Sequence, residues 1–176
     1  MASLLTKHYR KQHGLCCYCE QPAWIPGHKE SRRQRLKRLQ VTEDDPAFME
    51  RTNFMRASRE HLVRRAEGGG DGENVVMACV FCNSWRDRTA PEIHKRIMLA
   101  LVAMMLHPAA WPPGGGKIGP RKRLKMARRQ VEVMRQSLTQ GREAAIEGAD
   151  VAHTSLTADP SVPAGNVEGE GVASNP

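Results

Sequence analysis

Beyond Arg142 the sequence has no lysine or arginine. It has six acids there: Glu143, Glu147, Asp150, Asp159, Glu168 and Glu170. The other 13 of the 19 acids share residues 1–142 with all 27 basic residues, so that portion carries +14 while the 176-residue whole carries +8. A field of that sign attracts polyanions, of which nucleic acid is the commonest in a cell. Long apolar runs are also missing. The longest, Ile97 to Leu106, is about half of a bilayer span, so no membrane partner is expected. The opening MASLLTKHYRKQHG lacks the apolar core of a signal peptide, which predicts a cytoplasmic protein with reduced cysteines. Five cysteines, an odd number, argue against a complete disulfide set. From about Gly148 the chain lacks aromatics and consists largely of Ala, Gly, Pro, Ser and acid. Such a segment cannot bury enough apolar surface to offset its ordering entropy, so 148–176 is expected to be disordered.

What is present predicts an α+β chain. Ser3 can cap a short helix through His13, and Gly14 can end it. Residues 27–40 are strongly basic. With only Leu36 and Leu39 as apolar positions, they suit an exposed helix or a loop, broken by EDDP at 43–46. Phe54 to Val63 reads as a strand, GGGDGEN as a turn, and Val75 to Met77 as the antiparallel partner, with a helix after Cys79. A second helix starts near Ala90, with Thr89 and Glu92 at capping-box spacing and Pro91 in its first turn, and stays apolar through Leu106. Residues 111–119, which include WPPGGG, form a linker. A third helix follows at about 120–147, with Leu124, Ala127, Val131, Met134 and Leu138 as its apolar stripe. Arg121, Lys122 and Arg123 begin its basic run.

Cys16 and Cys19 form one C-x-x-C, and Cys79 and Cys82 form another. A two-residue gap lets both thiolates bend onto one ion, and two such knuckles complete a tetrahedral zinc shell. Four thiolates leave no open position, so this zinc would be structural. Residues 20 to 78 separate the knuckles, and the site would staple the N-terminus to the hairpin. Buried free thiols or a redox pair are the alternative. Cys17 fits packing better than ligation.

Between the knuckles, Glu60 and His61 precede the glycine turn, Asn74 opens the second strand, and Asn83 follows Cys82 directly. Neighbours on a regular strand point to opposite faces, so Glu60 and His61 would need a strand end or a bend to share a site. Arg59, Arg64, Arg65 and Arg86 surround them and suit a phosphate backbone.

Glu60-His61, the glycine turn, Asn74 and Cys79-x-x-Cys82-Asn83 resemble the HNH endonuclease motif, with landmarks in matching order across residues 57 to 88. The Cys16/Cys19 knuckle is similar to that of the zinc-stapled members. The resemblance implies a ββα-metal fold and hydrolysis of DNA, double-stranded in the first instance, to 5′-phosphate and 3′-hydroxyl ends. It implies that His61 is the general base, that Asn74 ties the loop which aims it, and that Glu60 and Asn83 hold a catalytic divalent ion, Mg²⁺ by preference. Four positions depart from the commoner pattern. Glu60 stands where Asp is usual, Asn83 where the family name has His, Arg64 where Pro is frequent, and Arg86 where Lys is frequent.

The expected organisation is a nuclease domain over 1–110 with a basic insert at about 27–53, then the linker, the basic helix and the tail. Arg59, Arg64, Arg65, Arg86, Arg121, Lys122 and Arg123 are the candidate DNA contacts. Two other classes compete with the enzyme: a zinc-stabilised module that binds nucleic acid without cutting, and a zinc-stapled protein with another acidic partner. The set Glu60, His61 and Asn83 favours the enzyme, because binding alone does not need it.

Overall fold

The computed structural model describes residues 3–26, 31–45, 47–72, 74–112 and 116–154, with side chains set aside at 32 and 141–154. Six α-helices, two 3-10 turns (Arg65–Glu67 and Pro108–Ala110) and one small sheet make up the regular structure of the described residues: α1 Leu4–Lys11, α2 Arg32–Leu39, α3 Phe48–Phe54, β1 Ala57–His61, β2 Val75–Cys79, α4 Val80–Arg86, α5 Pro91–Ala103 and α6 Pro120–Thr154. The α+β class is as expected. The chain parts into two units between Thr139 and Gln140.

Local chemistry sets many of the boundaries. Ser3 Oγ accepts from the Thr6 amide at 3.2 Å and starts α1. In α2, Ser31 and Gln34 form a full capping box. The basic stretch is therefore helical over 32–39, and its arginines are not all solvated. Arg35 lies over the Trp24 ring at 4.1 Å and Arg38 over Tyr9 at 5.8 Å, while Leu39 is buried. Cation–π contacts anchor a helix that has few apolar positions. Helix α3 was not anticipated. It uses up Phe54, so β1 begins at Ala57 rather than 54, and it accepts the Trp24 indole N–H at Thr52 O, 2.7 Å away.

The two strands are antiparallel, with Ala57 opposite Cys79 and His61 opposite Val75. β2 runs straight into α4, and Cys79 is the junction. Its Sγ caps the helix by accepting from the Cys82 amide at 3.4 Å. Phe81 packs edge-on to Phe54 and to His107, with centroids 5.5 and 4.8 Å away, and joins α3, α4 and the segment after α5.

Ala90, not Thr89, is the N-cap of α5. Thr89 is held one residue early, its amide on Arg86 O and its carbonyl accepting from Arg86 Nε. Pro91 does occupy the first turn. The helix ends at Ala103, short of Leu106, where Met105 takes φ +55° and the amides of Leu106 and His107 both return to Leu101 O. The linker begins later than expected, because Trp111 is buried with its indole N–H on Leu106 O at 3.1 Å. In α6 the anticipated stripe faces the core: Ala127 and Val131 are buried, and Leu124, Met134 and Leu138 pack against the core. The helix continues to Thr154, so 148–154 are helical rather than part of the tail. That segment adds alanines to a helix already nucleated, which favours propagation. Residues 155–176 of the anticipated tail lie outside the described residues.

Candidate functional site

All four cysteines of the two knuckles are buried, and their Sγ atoms lie within 4.8 Å of one another. Sulfurs about 2.3 Å from one ion would stand about 3.8 Å apart, so the cluster could hold a metal ion with little rearrangement. Further donors support thiolate character. The Cys79 amide points at Cys16 Sγ at 3.3 Å, and His107 Nε2 lies 3.4 Å from Cys82 Sγ. His107 Nδ1 accepts from the Ala109 amide, so the ring proton sits on Nε2 and is aimed at the sulfur. Burial opposes ionisation of Cys16, but bonds from Cys17, Cys19, Cys79 and Cys82 outweigh it and hold its pKa well below the thiol value. Burial, then the neighbouring Cys16 and Cys19, push Cys79 and Cys82 well up. Four sulfurs buried this close together are an arrangement that one cation would stabilise. Cys17 is only partly buried and stands outside the cluster.

The knuckles fix the end of β2 and the start of α4, and the other candidate residues lie beside that junction. Glu60, His61 and Asn83 line one cavity of about 380 Å³, together with Arg59, Arg64, Arg65, Ser84, Arg86 and Asp87. His61 is the last residue of β1, and this strand end lets it share the cavity with its neighbour Glu60. Asn83 donates its amide hydrogens to Ser58 Oγ at 3.0 Å and Arg59 O at 2.9 Å. Among the described residues, that leaves Asn83 Oδ1 as the free end of the amide.

Glu60 is buried. Its Oε1 accepts from Tyr18 Oη at 3.2 Å and from Arg86 Nη1 in a close ion pair. Burial and then the Glu60 charge raise the Tyr18 pKa, so the phenol stays a donor. Arg86 also donates to the carbonyls of His61 and Leu62. The guanidinium thus clamps the end of β1 onto α4. Arg86, expected as a DNA contact, is buried and gives four of its five N–H donors to acceptors within the fold. Arg123, another expected DNA contact, is also drawn inward. It is 8% exposed and donates to Ile118 O at 2.9 Å and Met105 O at 3.0 Å. Arg59, Arg65, Arg121 and Lys122 are exposed and Arg64 is partly so.

Asn74 sits beside the hairpin turn. Its Oδ1 accepts from the Val63 amide at 2.7 Å, and its Nδ2 donates to Val63 O at 2.8 Å and Gly70 O at 3.0 Å. It ties the two sides of the loop after His61. His61 Nε2 is 3.1 Å from Asp71 Oδ1 and 3.2 Å from Arg65 Nε, and Arg65 Nη2 donates to the same Asp71 oxygen at 2.8 Å.

Helix α5 backs the site with His94. This ring is fully buried, donates Nε2–H to Cys82 O at 2.8 Å and meets Tyr18 edge-on with centroids 4.7 Å apart. Burial, helped by the Arg135 and Arg86 charges against the bond to Cys82, lowers its pKa to about 4.

Tyr18, Asp71, His94 and His107 escaped the reading of the sequence. Tyr18 is hidden inside the first knuckle and Asp71 inside a glycine turn, where an acid is unremarkable. The two histidines lie on or just after an apolar helix, with no spacing that marks them. Comparison of the chain with family models, with curated proteins and with solved structures returns no match.

Proposed function

We propose that this chain is a metal-dependent DNA endonuclease of the HNH type, with β1, β2 and α4 as a ββα-metal core and a structural zinc on Cys16, Cys19, Cys79 and Cys82. The observation that carries the reading is the gathering of Glu60, His61 and Asn83 around one cavity whose rim bears Arg59, Arg64 and Arg65. A base, two oxygen donors of the kind that magnesium takes, and cations for a phosphate backbone are the parts that phosphodiester hydrolysis needs. Oε1 of Glu60 is shared with Tyr18 and Arg86, so Oε2 of Glu60 and Oδ1 of Asn83 would hold the divalent ion. The ion would supply polarisation of the scissile phosphate and charge stabilisation at the leaving 3′ oxygen. His61 takes the proton of the attacking water. Arg86 and Asn74 hold the two ends of the segment that follows His61. Arg59, Arg64 and Arg65 orient the backbone of the bound strand.

One observation favours a second reading. The Arg86–Glu60 ion pair neutralises the carboxylate that an ion would need, which suits a module that binds nucleic acid without cutting it.

Supercoiled plasmid separates the two. The wild-type protein is expected to nick it with Mg²⁺ and not with EDTA. His61→Ala is expected to slow nicking by on the order of a hundred- to ten-thousandfold with DNA affinity retained. Tight binding with no cleavage in Mg²⁺, Mn²⁺ or Ni²⁺ overturns the nuclease in favour of the binding module.

A further inference from the structure

The turn between the strands carries a carboxylate, Asp71, whose partners lie outside the turn. Asp71 stands between Gly70 and Gly72, and Gly72 takes φ +99°, a conformation that side chains resist. The loop is held at both ends by one side chain. Asn74 bonds Val63, two residues after His61, and Gly70, the residue before Asp71. The separation of His61 from Asp71 is therefore fixed by a third residue rather than left to a free loop. Asp71 Oδ1 then meets His61 Nε2 at 3.1 Å and Arg65 Nη2 at 2.8 Å.

His61 Nε2 has two neighbours and can satisfy only one. A bond from Arg65 Nε needs a bare lone pair on Nε2, whereas a bond to Asp71 needs a proton there. The carboxylate decides. Its bonds to Arg65 and then to His61 hold the Asp71 carboxyl below its usual range, so it is ionised near neutral pH. An ionised oxygen 3.1 Å from a bare nitrogen would place two acceptors face to face. The choice sets Nε2–H against Arg65 Nε–H, so the exposed Arg65 turns that donor to solvent while its Nη2 keeps the bond to Asp71.

We propose that Asp71 is a positioning residue for His61: it accepts the Nε2 proton, selects the Nε2–H tautomer and so leaves the Nδ1 lone pair as the base. This inference rests on the nuclease reading for its consequence, but the tautomer can be tested without it. In the reaction the water oxygen bonds to phosphorus and the P–O3′ bond breaks. The water proton goes to Nδ1, and the imidazolium that results keeps its Nε2–H on the Asp71 carboxylate, which stays ionised. Nδ1 later returns its proton to solvent, and a solvent proton completes the 3′-hydroxyl. With the other tautomer, Nδ1 would carry a proton and could not take one.

The test uses the full chain loaded with zinc. Long-range ¹H–¹⁵N correlation spectra of the neutral His61 ring are recorded for wild type, Asp71→Ala, Asp71→Asn and Asp71→Glu, beside plasmid nicking and DNA affinity at one salt concentration. In the wild type, Nε2 is expected to be the protonated nitrogen and Nδ1 the bare one. Asp71→Ala is expected to mix the tautomers and slow nicking by on the order of ten- to a hundredfold, less than loss of the base itself, with no loss of DNA affinity. Asp71→Glu is expected to restore part of both signals. A wild-type ring protonated at Nδ1, or tautomer populations that Asp71→Ala and Asp71→Asn leave unchanged, overturns the proposal. A protein that nicks nothing yet shows the Nε2–H tautomer and its loss in Asp71→Ala retains the pairing and refutes only the nuclease.

Discussion

Asn74 holds Val63 by both of its backbone polar groups, accepting from the amide at 2.7 Å and donating to the carbonyl at 2.8 Å. One primary amide thus does the work of a ladder step where β1 has already ended at His61. The strand pairing stops, but the geometry after it does not loosen. The glycine beside this clamp is closely packed as well. A Cβ on Gly69 would stand 2.0 Å from Val63 O, whereas one on Gly70 would meet nothing within 4 Å.

The first prediction concerns that clamp. Asn74→Ala removes three hydrogen bonds at a partly exposed site and is expected to cost about 1–2 kcal/mol. Gly69→Ala forces the backbone to shift and is expected to lower the melting temperature, while Gly70→Ala leaves it nearly unchanged. Thermal melts of the three variants check this, and equal effects at Gly69 and Gly70 would contradict it.

The metal centre supports a second prediction. The wild-type chain is expected to carry about one zinc, because four buried sulfurs converge. Cys79→Ala is expected to lose the ion and the cooperative melt, since Cys79 is at once a knuckle residue and the cap of α4. Cys17→Ser is expected to keep both. Metal content by elemental analysis with a melt of each variant decides. A folded, metal-free Cys79→Ala would remove the argument.

A third prediction is about pH. His94 falls from 6.5 to about 4 in the fold, with burial as the first cause. Below pH 6.5 the unfolded chain takes up a proton that the folded chain refuses until about pH 4. Its contribution to stability is thus complete above pH 6.5 and declines as pH falls toward 4. His94→Gln keeps a donor for Cys82 O and cannot charge. Denaturant unfolding at pH 7 and pH 5 in excess zinc is expected to show a larger loss in the wild type than in the variant. Parallel losses would mean that His94 is not the group that titrates.

The fourth prediction separates cations by their surroundings. Arg121→Ala and Lys122→Ala are expected to weaken DNA binding and flatten its salt dependence, by close to one released counterion each. Arg123→Ala is expected to destabilise the fold instead, because its donors go to Ile118 O and Met105 O. Anisotropy titrations over a salt series and thermal melts distinguish these, and an Arg123→Ala that melts normally but binds poorly would reverse the assignment.

Much of the frame was legible because its causes are local. Two C-x-x-C knuckles announce their own convergence, since a two-residue gap already brings each pair of sulfurs together. Ser3 caps α1 and Pro91 opens α5 by chemistry confined to one turn, and the stripe from Leu124 to Leu138 needs only the helical period. Thr89 failed as a cap because Arg86, three residues earlier, already held its backbone. The candidate residues Glu60, His61, Asn74 and Asn83 could be named from order and spacing, and the fold does place Glu60, His61 and Asn83 around one cavity.

Which groups those residues meet was beyond the sequence, because an arginine has one letter whether it faces solvent or a buried carboxylate. Charge alone made Arg86, Arg123, Arg35 and Arg38 interchangeable members of a basic surface. Packing separated them: Arg86 onto Glu60, Arg123 onto two carbonyls, Arg35 and Arg38 onto aromatic rings. The pairing of Asp71 with His61 likewise exists only once Asn74 has closed the turn between them. Local rules determined where the chain bends and which side chains are chemically able. Tertiary structure decided which of them are spent on the fold and which remain to act, since that depends on neighbours far away in the chain.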